Sequence, residues 1–189
     1  GYINANEFVH ATPKEIGANA VVILASQRGD TAETVKACQA ANEKGAATVG
    51  LTFQVPSPLA DSAQHVILYE FGDDSIVENQ KTSYGFKMAL ELLHQIEGYA
   101  GYDAMVKALG SLNEIVVKAK KDIVPFAIKY AWEFKDDSVI YTMGSGPCWG
   151  SAHQESICIF MEMQWINSSV IHSGEYFHGP FEITDKNTA

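Results

Sequence analysis

Three stretches of the sequence carry residue types able to do chemistry. The first is Ser26-Gln27-Arg28-Gly29-Asp30-Thr31, which follows the apolar run Val21–Ala25 and precedes Val35, Cys38, Ala41 and Asn42 at helical spacing. The run has the length and β-branched content of a strand buried on both faces. A buried strand, a hydroxyl-rich glycine turn and a helix aim backbone N–H groups and the positive end of a helix dipole at one point. Ser26, Thr31 and the Gln27 amide add side-chain donors, so the turn is built like an anion site. The same residues also suit a plain helix start, with Asp30 and Glu33 as a variant capping box. The local pattern leaves both readings open. It matches neither the Gly-Lys-Ser/Thr phosphate loop nor the Gly-x-Gly-x-x-Gly dinucleotide turn.

The second stretch is Phe160-Met161-Glu162-Met163-Gln164-Trp165. A carboxylate among Met, Phe and Trp is costly to desolvate, and burial would raise its pKa toward that of a useful general base. The plainer alternative puts Glu162 on a narrow polar stripe with Glu155. The third is Gly174-Glu175-Tyr176-Phe177-His178-Gly179-Pro180, a loop in which glycines and a proline fix one histidine. A lone histidine is more often structural than catalytic, so His178 by itself decides nothing.

Taken together, these motifs resemble the sugar isomerase (SIS) family, the module of glucosamine 6-phosphate synthase and its relatives. Ser-Gln-x-Gly-Asp/Glu-Thr after a buried strand is similar to that family's phosphate loop. The resemblance gives the sugar phosphate to Ser26, Gln27 and Thr31. Arg28 stands where serine is usual, placed either to add a bidentate phosphate contact or to face solvent. The turn from Gly72 to Lys81 resembles the one bordering the sugar, which implies substrate contacts for Val77 and Asn79. Lys81 matches a family lysine, for which a structural salt bridge is an equal reading. A glutamate on the second module's first helix, then Gly-Glu and His-Gly-Pro sixteen positions on, resembles the isomerase pair. There the glutamate moves a carbon-bound proton and the histidine, from the neighbouring subunit, serves ring opening and proton donation. The synthase pattern has a lysine three residues before that glutamate, and here the position is Ile159. The run through residues 160–183 is most similar to bacterial fructosamine 6-phosphate deglycases.

The resemblance implies a deglycase that splits an amino acid-linked sugar 6-phosphate into hexose 6-phosphate and free amino acid. Two alternatives stand beside it: an aldose–ketose isomerase of amino-sugar phosphates, and a non-catalytic sugar-phosphate sensor. It implies a homodimer in which His178 serves the partner's site, and no metal or redox cofactor. The remaining histidines, His10, His65, His94, His153 and His172, form no recognised ligand spacing.

The elements that must position these residues alternate strand and helix. After the first pair, 46–53 and 65–69 read as further buried strands, with Pro56 and Pro58 breaking the chain between them. Such alternation predicts a parallel sheet with ligands beyond the carboxyl ends of its strands. Helical patterns follow over 81–96, 102–121 and 123–134, with Pro125 placed in a first helical turn. A strand over 138–143, a tight turn at 144–147 and a helix over 151–166 then open a second module. The expected fold is α/β, with tandem SIS domains that are each a parallel-sheet αβα sandwich. The first module spans 1–100 without its N-terminal strand and Ser-rich loop. Connecting helices occupy 101–135, and the start of the second module 136–189.

A formal charge of −10 and a pI near 4.9 argue against nucleic acid or an anionic membrane as partner. An anionic substrate must then be captured locally. Cys38, Cys148 and Cys158 read as reduced thiols, and no signal or membrane segment is evident. A cytoplasmic location is therefore expected.

Overall fold

The computed structural model describes residues 1–186 and 188. The chain divides into two compact units, Gly1–Ala119 and Lys120–Ala189.

The first unit holds a parallel sheet in the order β1-β2-β3, formed by Val21–Ala25, Ala47–Thr52 and His65–Leu68. Ile23 lies beside Val49, and Val49 beside His65. Helices α1 (Ala5–His10), α2 (Ala32–Glu43) and α3 (Pro58–Ser62) cover one face. Phe8, Leu24, Ala37, Cys38, Ala41, Ala46 and Leu59 form the core between them. Burial, partly offset by a hydrogen bond with Thr48, pushes the Cys38 thiol above its ordinary pKa, so it serves as a small apolar residue. β1 departs from expectation here. Val21 is 53% and Ile23 44% exposed, while Leu24 is buried. Among the described residues the strand lies at a sheet edge and alternates, with helices packed against only one side of it.

Helix α4 (Lys81–Glu97) ends at Gly98, whose φ of 73° suits glycine at a left-handed cap. The next helices differ from the sequence reading. α5 is short, Tyr102–Leu109, and α6 runs unbroken from Leu112 to Phe134 through Pro125. The interruption sits at Gly110 and Ser111 instead. Pro125 deletes one backbone donor in mid-helix, but the turns on either side carry the helix across. No helix among the described residues is long and apolar enough to cross a membrane.

The second unit holds a two-stranded parallel sheet, β4 (Ile140–Gly144) beside β5 (Ser168–His172). The expected helix over 151–166 is two elements. α7 (Trp149–Gln154) gives way to a π-helix over Glu155–Met163. Its end is closed by long-reach bonds, from the Gln164 N–H to the Ile159 carbonyl (3.0 Å) and from the Ile166 N–H to the Phe160 carbonyl (2.8 Å). Ser156 anchors this segment, fully buried and 2.9 Å from the Ser168 hydroxyl, which also reaches the Ile140 carbonyl at 2.7 Å.

Candidate functional site

β1 delivers Ser26 to the carboxyl end of its sheet, where the side chain is buried at 5% exposure. Its hydroxyl lies 2.8 Å from the Thr31 hydroxyl and accepts weakly from the Thr31 N–H at 3.4 Å. Thr31 is the N-cap of α2, yet its side chain makes no bond to that helix. The predicted Asp30–Glu33 capping box is therefore not formed. Thr31 turns its hydroxyl toward Ser26, and the first N–H groups of α2 keep no side-chain cap. Such an end satisfies its donors with water or an anion.

The loop is braced from behind. Gly29 has φ 73°, and a Cβ built on it would meet Ser57 Oγ at 2.2 Å. Only glycine fits both the backbone angle and the space. The Gly29 carbonyl accepts from Leu59 N–H at 2.9 Å, and the Gln27 carbonyl from Phe53 N–H at 3.0 Å. Gln27 and Arg28 are exposed. Arg28 pairs with Asp30 at 3.2 Å, both side chains being more than half exposed. An ion pair so exposed contributes little to stability, and it leaves the guanidinium beside the loop.

Val77 and Asn79 lie together on a 3₁₀ turn, Val77–Asn79, and both are half-buried. Sequence reasoning missed the residue that holds this turn, Glu70. One of its oxygens accepts from the Ile76 N–H at 3.0 Å and the other from the Asn79 side-chain amide at 2.8 Å, while its own N–H donates to the Asn79 carbonyl at 2.9 Å. The Asn79 amide nitrogen is thus engaged, and its oxygen accepts no hydrogen bond among the described residues. Glu70→Ala removes two charge-assisted bonds, and about 1 kcal/mol of local order goes with them. Amide hydrogen exchange at Ile76 should accelerate about fivefold; unchanged protection would show that the carboxylate does not hold the turn. Ser57-Pro58 could have been recognised from its N-cap and first-turn proline pattern. Glu70 carried no comparable signal.

Two further features of this unit were not foreseen. The Tyr69 hydroxyl is buried without a hydrogen-bond partner among the described residues, and burial pushes its pKa up. A cavity of about 390 Å³ lies between α4 and α5, lined by Glu78, Lys87, Leu90, Glu91 and Tyr102 among others. It includes none of the predicted site residues.

In the second unit Glu162 sits on the π-helix and is exposed, not half-buried as its neighbours suggested. Those neighbours are exposed too, Met163 at 65% and Trp165 at 89%. Ser156, not Glu162, takes the inward position. Trp165 also has φ 58°, the one positive φ among described non-glycine residues, so the strained backbone falls three residues from Glu162. His178 is exposed, at the end of the 3₁₀ helix Ser173–His178. Its loop is fixed by Tyr176, Phe177 and Phe181, whose ring centroids lie 5.1–5.9 Å apart, and by a 2.7 Å bond between the Tyr176 and Thr184 hydroxyls. No hydrogen bond joins Glu162 to His178 among the described residues.

Residues 2–95 match the SIS domain. Fructosamine deglycase FrlB of Bacillus subtilis (strain 168) is 43% identical over 185 residues, covering 97% of this chain and 56% of that protein. Fructoselysine 6-phosphate deglycase of Escherichia coli O157:H7 is 31% identical over 197 residues, covering 97% and 53%. Among solved structures, a candidate phosphosugar isomerase from Salmonella typhimurium LT2 superposes with a TM-score of 0.95 at 55% identity, covering 98% of this chain and 56% of that one. The chain thus spans about half the length of the relatives it matches.

Proposed function

We propose, from the premise that this chain belongs to the SIS domain family through residues 2–95, that its protein is a fructosamine 6-phosphate deglycase. The second unit is then the opening of a second SIS module. The observation that carries the reading is the Ser26–Thr31 hydroxyl pair at the uncapped start of α2. It offers hydroxyls, backbone N–H groups and a helix dipole to one anionic group, and an acidic chain needs such a local trap. The relatives named fructosamine and fructoselysine 6-phosphate deglycase support the choice of substrate class.

The substrate is a 1-amino-1-deoxy-ketose 6-phosphate bearing an amino acid on its nitrogen. Ser26, Gln27 and Thr31 hold the phosphate, with Arg28 beside it, and Val77 and Asn79 border the sugar. His178 of a second copy assists ring opening, so the working unit is at least a homodimer. Glu162 takes a proton from C1, giving an enaminol, and returns it to C2. The product is an imine at C1, which water hydrolyses to hexose 6-phosphate and free amino acid. This sequence consumes one water and needs no electron acceptor.

A turnover screen of glycated amino-acid 6-phosphates with the full-length protein tests the reading. Release of hexose 6-phosphate with stoichiometric free amino acid is expected. Release of ammonia from an amino-hexose phosphate would make it an isomerase or deaminase instead. Tight binding without turnover would make it a sensor.

A further inference from the structure

Backbone N–H groups serve an anion only if their peptide planes face the right way, and the first unit contains a device that fixes two of them. In a trans peptide the carbonyl and the N–H point to opposite sides. The Gln27 carbonyl accepts from two donors at the exit of β2, the Phe53 N–H at 3.0 Å and the Thr52 hydroxyl at 3.0 Å. The Arg28 N–H shares that peptide and so points away from residues 52 and 53. Two residues on, the Gly29 carbonyl accepts from the Leu59 N–H at 2.9 Å, which turns the Asp30 N–H away from α3. Neither the Arg28 nor the Asp30 N–H is bonded among the described residues.

We propose that Thr52 is a positioning residue for phosphate recognition, holding the Gln27–Arg28 peptide so that its N–H faces the anion. The proposal rests on the phosphate site proposed above and goes beyond it, because Thr52 is fully buried and is not among the residues assigned to the phosphate. Its hydroxyl also accepts from the Gln54 N–H at 3.2 Å, and its one proton has the Gln27 carbonyl at 3.0 Å as a nearer acceptor than the Gln54 carbonyl at 3.3 Å. One side chain thereby ties together the loop after β1 and the loop after β2. Its oxygen lies 3.2 Å from where a Cβ on Gly29 would stand, so the contact is tight and leaves the loop little room to turn. A valine at 52 keeps the shape and loses the donor.

The test uses the full-length protein, with inorganic phosphate by calorimetry and the phosphorylated substrate by steady-state kinetics. Losing one hydrogen bond of ordinary strength should weaken phosphate binding by about 3- to 10-fold in Thr52→Val. KM should rise by a similar factor while kcat stays within about twofold. Thr52→Ser should restore both values, which a purely structural loss would not allow. If Thr52→Val fails to fold, Thr52→Cys carries the same comparison with a much weaker donor. Wild-type phosphate affinity in the valine or cysteine variant would overturn the inference, as would a loss of kcat at unchanged KM. If the wild-type protein itself bound no phosphate, the anion site and the inference would fall together. Phosphate bound equally with and without the Thr52 hydroxyl would remove the inference alone.

Discussion

Glu162→Gln in the full-length protein should abolish most turnover, by about 10²- to 10⁴-fold, while sugar-phosphate binding survives. Glutamine keeps the volume and hydrogen-bonding reach of glutamate but cannot accept the C1 proton. The proposed phosphate donors, Ser26, Gln27 and Thr31, belong to the first unit, far along the sequence from this change. KM should therefore move little compared with kcat. The exposure of Glu162 in the second unit also matters to this experiment. An exposed carboxylate is hydrated, so the substitution should not unfold the protein, and a lost rate can be read as lost chemistry. Turnover within about tenfold of wild type would remove Glu162 from the mechanism.

The second large effect is expected at Gly29. An alanine there must hold φ 73°, at a cost of roughly 1–2 kcal/mol, and its Cβ must displace Ser57, whose own Cβ would lie 2.7 Å away. Overpacking of that kind costs about 1–3 kcal/mol more. Ser57 caps α3 by accepting from the Ala60 N–H at 3.3 Å, so it cannot move without loosening that helix. Gly29→Ala should lower the melting temperature by roughly 5–15 °C and abolish phosphate protection against melting. A variant that melts like wild type and is still stabilised by phosphate would show that the loop is not braced this way.

Much of the first unit was legible in the sequence because its signals are local. A β-branched run followed by a polar glycine turn and a helical period specifies strand, loop and helix within a few residues. Ser26 and Thr31 meet as that pattern implies. What the pattern could not show was the bracing of the loop, since Thr52 and Leu59, which bond its carbonyls, and Ser57, which packs against Gly29, come from later in the chain. β1 is less buried than its composition implies for a related reason. Apolar composition does not reveal whether helices will cover both faces of a strand. In the second unit the sequence implies an α-helical period for residues that form a π-helix, which changes the side each residue faces. Glu162 then lies outward and Ser156 inward. The pattern around Pro125 implies a boundary, although flanking turns can carry a helix past a proline, and the break lies at Gly110.

The wide coil over Glu155–Met163 sets the phase between a fixed point, Ser156, and the proposed base, Glu162. Ser156 is locked to β5, so Glu162 keeps its bearing only while six peptide steps of that particular pitch separate them. Most connections between strands absorb a lost residue in a slack loop. Here a one-residue deletion would narrow the coil and swing the carboxylate around its axis while leaving every residue of the first unit unchanged. Length, as much as chemical identity, is what this segment must preserve.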